Sequence, residues 1–276
     1  MTQTGFKWAE TVRLEHEQSN RVRTDDPQVD YWRGLAHRFA PASRDDAYGD
    51  DTVKALLTMI RQTDTVLDVG AGAGRLAVPI AEHCAHVTAV EPSPAMAERM
   101  AGQAEAWGVS NLSIVEARWE DADVEPADVV VCSHVLYTVQ DIEGFIQKLD
   151  RHARREVAVV LFEETAMSNY FEFWPAVHGE ERVKLPSLPE LKSLLTEMGI
   201  VFTATPLQEW ESRPFKDRQT GVEETMARLF VGPDSEKAPV VEHAVESAVV
   251  AVDGGFRFRW ARPHRPWLVR WDTSPP

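Results

Sequence analysis

Between about residue 51 and residue 205, short apolar runs alternate with stretches that repeat at helical spacing. The apolar runs are Val66–Val69, His86–Glu91, Leu112–Val115, Asp128–Ser133, Val157–Phe162 and Ile200–Thr205. They are rich in β-branched residues and mostly apolar on both faces, the pattern of strands covered on each side by helices. Between them the spacing predicts helices. Val53, Leu56, Leu57 and Ile60 follow a capping Asp50 or Asp51, in a helix ending near Asp64. Leu76, Val78, Ile80 and Ala81 make a second stripe, and Met96, Met100 and Trp107 a third, behind Ser93 as N-cap and Pro94 in the first turn. Asp141 precedes Ile142, Phe145, Ile146 and Leu149; Ser187-Leu188-Pro189-Glu190 forms a capping box before Leu191, Leu194, Leu195 and Met198, with Gly199 as the stop. Such alternation predicts an α/β fold, a doubly wound, mostly parallel sheet of about seven strands with helices on both faces.

The two ends are less regular. Residues 1–49 are polar and mixed, with aromatics at Phe6, Trp8, Tyr31, Trp32 and Phe39, and are expected to form an N-terminal helical cover over a domain spanning 50–276. Asp30–Phe39 reads as a helix with Tyr31, Leu35 and Arg38 on one side. After Glu163-Glu164 come about 25 residues without a clear element, holding Tyr170, Phe171, Phe173, Trp174, His178 and Glu180; loops of that length are commonly lids or binding segments. They read as part of a binding pocket, or else as a small helix packed on the sheet. Beyond the sixth strand, Val222–Phe230 reads as a helix, and a further one starts at Asp234 or Ser235 with Val241, Ala244, Val245 and Ala248 on one face. Together they suggest a helical insertion over about 216–252. Phe256–Trp260 is expected to form a hairpin with Trp267–Trp271 across Pro263–Pro266, one of them serving as the last, antiparallel strand.

Composition narrows the function. The chain has 276 residues, and its net charge of −15 disfavours an electrostatic grip on nucleic acid. His152–Arg155 is too short to count as a basic patch. Cys84 and Cys132 each fall inside a core element, which suits buried reduced thiols rather than a disulfide or a metal site. No apolar leader and no run of about 18 apolar residues occurs, so the expectation is a cytoplasmic protein without membrane contact.

The candidate chemistry lies where the first strand ends. Gly70, Gly72 and Gly74 allow a tight turn that brings the backbone against a ligand, the mark of a nucleotide-type site. The dinucleotide fingerprint is G-x-G-x-x-G, whereas here Arg75 stands where its last glycine would fall. Asp68, just before the turn, would repel a pyrophosphate and attract a cationic ligand. Glu91, at the end of the second strand, can accept both hydroxyls of a ribose. Asp68-x-Gly70-x-Gly72-x-Gly74 is similar to the first motif of the class I S-adenosylmethionine-dependent methyltransferases. The resemblance covers residues 51–205 and implies S-adenosylmethionine as cofactor, with S-adenosylhomocysteine as product. It places Asp68, Gly70, Ala71, Gly72 and Gly74 on the methionine part, Glu91 on the ribose, and Pro92 to Met96 beside the adenine. Glu120 or Asp121, with the amide of Trp119, would meet the adenine edge, although in much of the family the acid stands where Arg118 is; an acid-rich surface loop is the alternative.

Asp128–Ser133 is almost wholly apolar and so expected to be central, delivering Ser133, His134 and Tyr137 to the carboxyl end of the sheet, where a methyl acceptor would lie. Ser133 and His134 would form the floor beneath the reacting methyl, and His134 is the candidate general base, with an ordinary packing role as the alternative. Tyr31, Arg38, Tyr137, Tyr170, Trp174 and His178 are candidate acceptor-pocket residues, Tyr31 and Arg38 because N-terminal helices of similar methyltransferases cover the cofactor. The expected function is methyl transfer to a small molecule. An aminopropyl transferase, a non-catalytic domain that binds the cofactor or a partner, and an NAD-dependent oxidoreductase are the alternatives.

Overall fold

The computed structural model describes residues 1–23, 40–41, 43–165 and 167–273. In chain order, helices α1 (Gln3–Val22), α2 (Arg44–Gly49) and α3 (Asp51–Leu57) precede β1 (Thr65–Val69), α4 (Ala77–Ala81), β2 (His86–Val90), α5 (Pro94–Trp107) and β3 (Leu112–Val115). Next come β4 (Ala127–Ser133), α6 (Ile142–His152), β5 (Ala153–Phe162), the short α7 (Ser168–Phe171) and α8 (Trp174–His178), α9 (Leu188–Glu197) and β6 (Thr203–Pro206). The last elements are α10 (Arg218–Arg228), α11 (Ala238–Ala248), β7 (Val249–Val252), β8 (Gly255–Phe258) and β9 (Pro266–Asp272). No described helix is long and apolar enough to cross a membrane.

The main sheet has seven strands in the order β3-β2-β1-β4-β5-β9-β6, and β9 runs antiparallel to both of its neighbours. Alternate residues of each strand feed opposite faces. Val66, Val87, Val129, Val131, Ala158 and Val160 pack with α3, α4 and α5, while Leu67, Val69, Val130, Cys132, Val157 and Val159 pack with α6 and α9. Burial on both faces explains the nearly unbroken apolar strands. β4 is indeed the middle strand. From β1 the chain winds outward to β3 and then returns to β4 on the other side of β1, so strand order reverses between β1 and β4 and opens a crevice at their carboxyl ends.

Helix starts follow the local chemistry. Asp50 accepts from the Thr52 amide, Ser93 from Met96 and Asp141 from Gly144, and Ser187 with Glu190 closes a capping box. α3 stops at Leu57, short of the expected Asp64.

Three features refine or overturn the sequence expectations. First, within the expected N-terminal helical cover, residues 3–22 form a long helix whose Trp8 and Val12 are fully buried in the main core, with the Trp8 indole N–H donating to the Val139 carbonyl at 3.0 Å. Second, the expected pairing of Phe256–Trp260 with Trp267–Trp271 does not form. β8 instead pairs with β7 in a separate two-stranded sheet, and β9 alone is the antiparallel strand of the main sheet. Asp253-Gly254 provides a two-residue hairpin loop, with Gly254 at φ +83°, and so local closure wins over the longer proline-containing connection. Third, α7 and α8 join α10, α11, β7 and β8 around a small core of their own, holding Phe173, Trp174, Val177, Val222, Met226, Leu229, Val241, Val245 and Phe258.

Candidate functional site at the end of β1 and β4

The glycine turn leaves β1 at the strand-order reversal with Gly70, Gly72 and Gly74 at φ +71°, +56° and +84°. A Cβ on Gly70 would lie 2.3 Å from Val135 Cγ2, and one on Gly74 would lie 2.7 Å from Met100 Cγ, so these two glycines serve close packing. A Cβ on Gly72 would meet nothing within 4 Å. Gly72 therefore faces open space in the crevice.

Four amides of this turn are already committed. Gly70 and Ala71 donate to the Val90 carbonyl at 2.8 and 3.2 Å, and Gly74 to the Ala71 carbonyl at 3.1 Å. Gly72 donates to Glu91 Oε2 at 2.8 Å, while Glu91 Oε1 accepts from the Ser93 amide at 2.9 Å. A diphosphate needs free N–H groups and would find carboxylates instead. Asp68 is the second acid, only 1% exposed, and its Oδ2 has no hydrogen-bond partner among the described residues. Burial pushes the Asp68 carboxyl up to about 7, against the pull of Arg75 and with Glu91 adding to the rise, while the Ala77 amide donates to it. A buried carboxylate oxygen without a donor fits a cationic ligand group, which would supply the missing partner.

Arg75, which replaces the dinucleotide glycine, reaches across the crevice. It forms an ion pair with Asp50 and donates to Ser133 Oγ at 3.3 Å. His134, the next residue, has φ +59°, an uncommon backbone conformation for a non-glycine residue. Its ring stacks on Phe162 with centroids 4.3 Å apart. Tyr137 Oη lies 3.2 Å from His134 Nδ1 and accepts the Phe162 amide at 2.9 Å. The Tyr137 hydroxyl thus ties the His134 ring to the backbone at the end of β5. Burial lowers the His134 pKa to about 3, with Arg75 acting in the same direction and Asp50 opposing. His134 is thus a neutral imidazole whose Nδ1 is engaged by Tyr137.

The other sequence candidates scatter. Met96 is buried against Ala73, behind the turn, and Pro92 is exposed beside Glu91. The Trp119 ring is buried among Phe145 and His152 with Lys148 Nζ 4.6 Å over its face. The Trp119 amide has no partner among the described residues, and Glu120 pairs with Arg118 at 3.5 Å. Tyr170, Trp174 and His178 belong to the small separate core rather than to the crevice. Tyr170 Oη reaches Glu224, the Trp174 ring lies under Arg182 at 4.0 Å, and His178 bonds the Leu229 carbonyl through Nε2 and Lys237 through Nδ1. Tyr31 and Arg38 lie outside the described residues. Sequence reasoning missed Arg75 and Phe162 as neighbours of Ser133 and His134, since these contacts bridge separate strand ends.

A family model described as "Methyltransferase domain" matches residues 31–204, ending inside β6. An uncharacterized protein of Haemophilus influenzae is 26% identical over 189 residues, covering 66% of this chain and 69% of that one. A protein of Methylocella silvestris named ubiquinone biosynthesis O-methyltransferase is 36% identical over 85 residues, only 30% of this chain and 32% of its own length. Among solved structures, the YcgJ protein of Bacillus subtilis superposes with a TM-score of 0.56 at 15% identity, over 82% of this chain and 99% of its own, which speaks for the fold alone. Because the family model takes in well over half of the sequence, the chain belongs to the methyltransferase-domain family and is a class I, S-adenosylmethionine-dependent methyltransferase.

Proposed function

We propose that this methyltransferase transfers its methyl group to a small-molecule acceptor lying over Ser133 and His134, with the donor held by Asp68, the glycine turn and Glu91. The observation that carries the donor placement is Asp68 Oδ2, without a partner among the described residues, beside a turn whose Gly70, Ala71, Gly72 and Gly74 amides are committed. Asp68 would accept the α-ammonium of the methionine part, and the open face of Gly72 leaves room for it. Glu91 would hold the ribose through the same carboxylate that accepts the Gly72 and Ser93 amides. The Trp119 amide is available to an adenine nitrogen.

When bound, S-adenosylmethionine supplies a methyl carbon on a positively charged sulfur, already activated toward displacement. The chain's task is therefore alignment and exclusion of water. Arg75 fixes Ser133, Tyr137 fixes the His134 ring, and the neutral His134 imidazole would orient a polar group of the acceptor. Restriction to small acceptors is supported by the net charge of −15 and by partial similarity to proteins named as O-methyltransferases of ubiquinone biosynthesis.

Calorimetric titration with S-adenosylmethionine, S-adenosylhomocysteine and NAD tests the donor site. Asp68→Ala and Glu91→Ala should each weaken the adenosyl ligands by about 1.5 kcal/mol, the scale of a lost hydrogen bond to a charged group. Affinities unchanged in both variants, or tighter binding of NAD, would refute the assignment.

A further inference from the structure

Beside His134 the molecule carries an aromatic surface to which nothing above gives a role. Phe162, the last residue of β5, stacks on His134 at 4.3 Å and lies 6.1 Å from Trp210 and 5.7 Å from His264. Trp210 and His264 are where the chain leaves and re-enters the main sheet around the inserted helices. Their backbones bond to each other in both directions at 2.8 Å, closing the stem of the insertion. His264 is buried, and Asn169 Nδ2 donates to its Nε2 at 3.1 Å, tying the stem to α7. The stem is therefore tied on both sides by hydrogen bonds, yet Trp210 itself is 47% exposed. A large indole left open on a fixed support, continuous with the ring at the transfer site, suits a flat ligand.

We infer that Phe162 and Trp210, backed by the buried His264, form a stacking ledge that selects a planar aromatic methyl acceptor, whose polar edge hydrogen-bonds the His134 imidazole. The inference rests on the proposal that the acceptor lies over Ser133 and His134. It assigns the insertion a role in acceptor choice, because the insertion's stem supplies Trp210 and the ring behind the ledge.

The test measures binding to protein saturated with S-adenosylhomocysteine, using matched probes: phenol against cyclohexanol, catechol against cyclohexane-1,2-diol, and indole against octahydroindole. At least one aromatic member should bind about three- to tenfold tighter than its saturated partner, the range expected for one aromatic contact. Trp210→Ala should abolish that preference and Trp210→Phe should keep it, with S-adenosylhomocysteine affinity unchanged in both. The exposure of Trp210 makes the variants suitable, since little core packing is lost. No aromatic preference in any pair, including no binding at all, overturns the ledge, as does a preference that survives in Trp210→Ala. Failure of the wild type to bind S-adenosylhomocysteine would instead strike the donor site.

Discussion

Asp68 makes donor affinity depend on pH within the physiological range. Its buried carboxyl titrates near about 7, so in the ligand-free protein it is largely protonated at pH 6. A cationic group binds the ionised form, and affinity then scales with the ionised fraction. Relative to full ionisation, affinity falls about elevenfold at pH 6 and about twofold at pH 7. Above about 8 the ligand's own α-amino group begins to lose its proton, so affinity should peak between these limits. Titrations in buffers of different ionisation enthalpy should show release of about three-quarters of a proton at pH 6.5. S-adenosylmethionine and S-adenosylhomocysteine should behave alike, since both carry the ammonium; dependence confined to the sulfonium ligand would place Asp68 against sulfur instead. Asp68→Asn should bind weakly at every pH and release no proton.

The sign for stability is opposite. The native carboxyl is raised above its unfolded value of about 3.9, so the native state binds the extra proton between about pH 4 and 7. Ligand-free stability should fall as pH rises through that window and stay level above it, by at most about 4 kcal/mol. Asp68→Asn should remove this decline. Flat donor affinity from pH 6 to 8 with no proton release would refute the whole account.

Two further outcomes follow from the site's geometry. The imidazole C2 proton of His134, followed by NMR, should show no titration step between pH 5 and 8, because burial and Arg75 hold the ring neutral down to about 3; a midpoint near 6.5 would restore it as a candidate base. Gly72→Ala and Gly74→Ala both place an alanine at positive φ, yet only Gly74→Ala also meets Met100 and Val78, at 2.7 and 2.9 Å. In urea denaturation Gly72→Ala should cost about 1–2 kcal/mol and weaken the donor, and Gly74→Ala about 2–4 kcal/mol, so equal losses would contradict the packing described.

Sequence alone determined the strand–helix alternation, the central position of β4, the capped helix starts and the acids flanking the glycine turn. Each of these is local: a strand buried on both faces must be apolar along its whole length, and a cap must lie within a turn of the amides it satisfies. α1 escaped because its buried face includes Glu15, Gln18 and Ser19, partnered by Arg182 far along the chain, so its apolar stripe is interrupted. Spacing at Gly5, Trp8, Val12 and Glu15 was present, but the polar residues hid it. Tertiary structure alone decided which aromatic residues reach the crevice. Trp174 and His178 turned into the small core with α10 and α11, while Phe162 and Trp210, from separate segments, came together beside His134. Pairing of this kind depends on where the sheet brings distant strand ends, and on buried charge compensation that no local repeat encodes. The environment that raises Asp68 has the same origin: a carboxylate's identity is written in one residue, but its loss of water is imposed by the strands and helices packed around it.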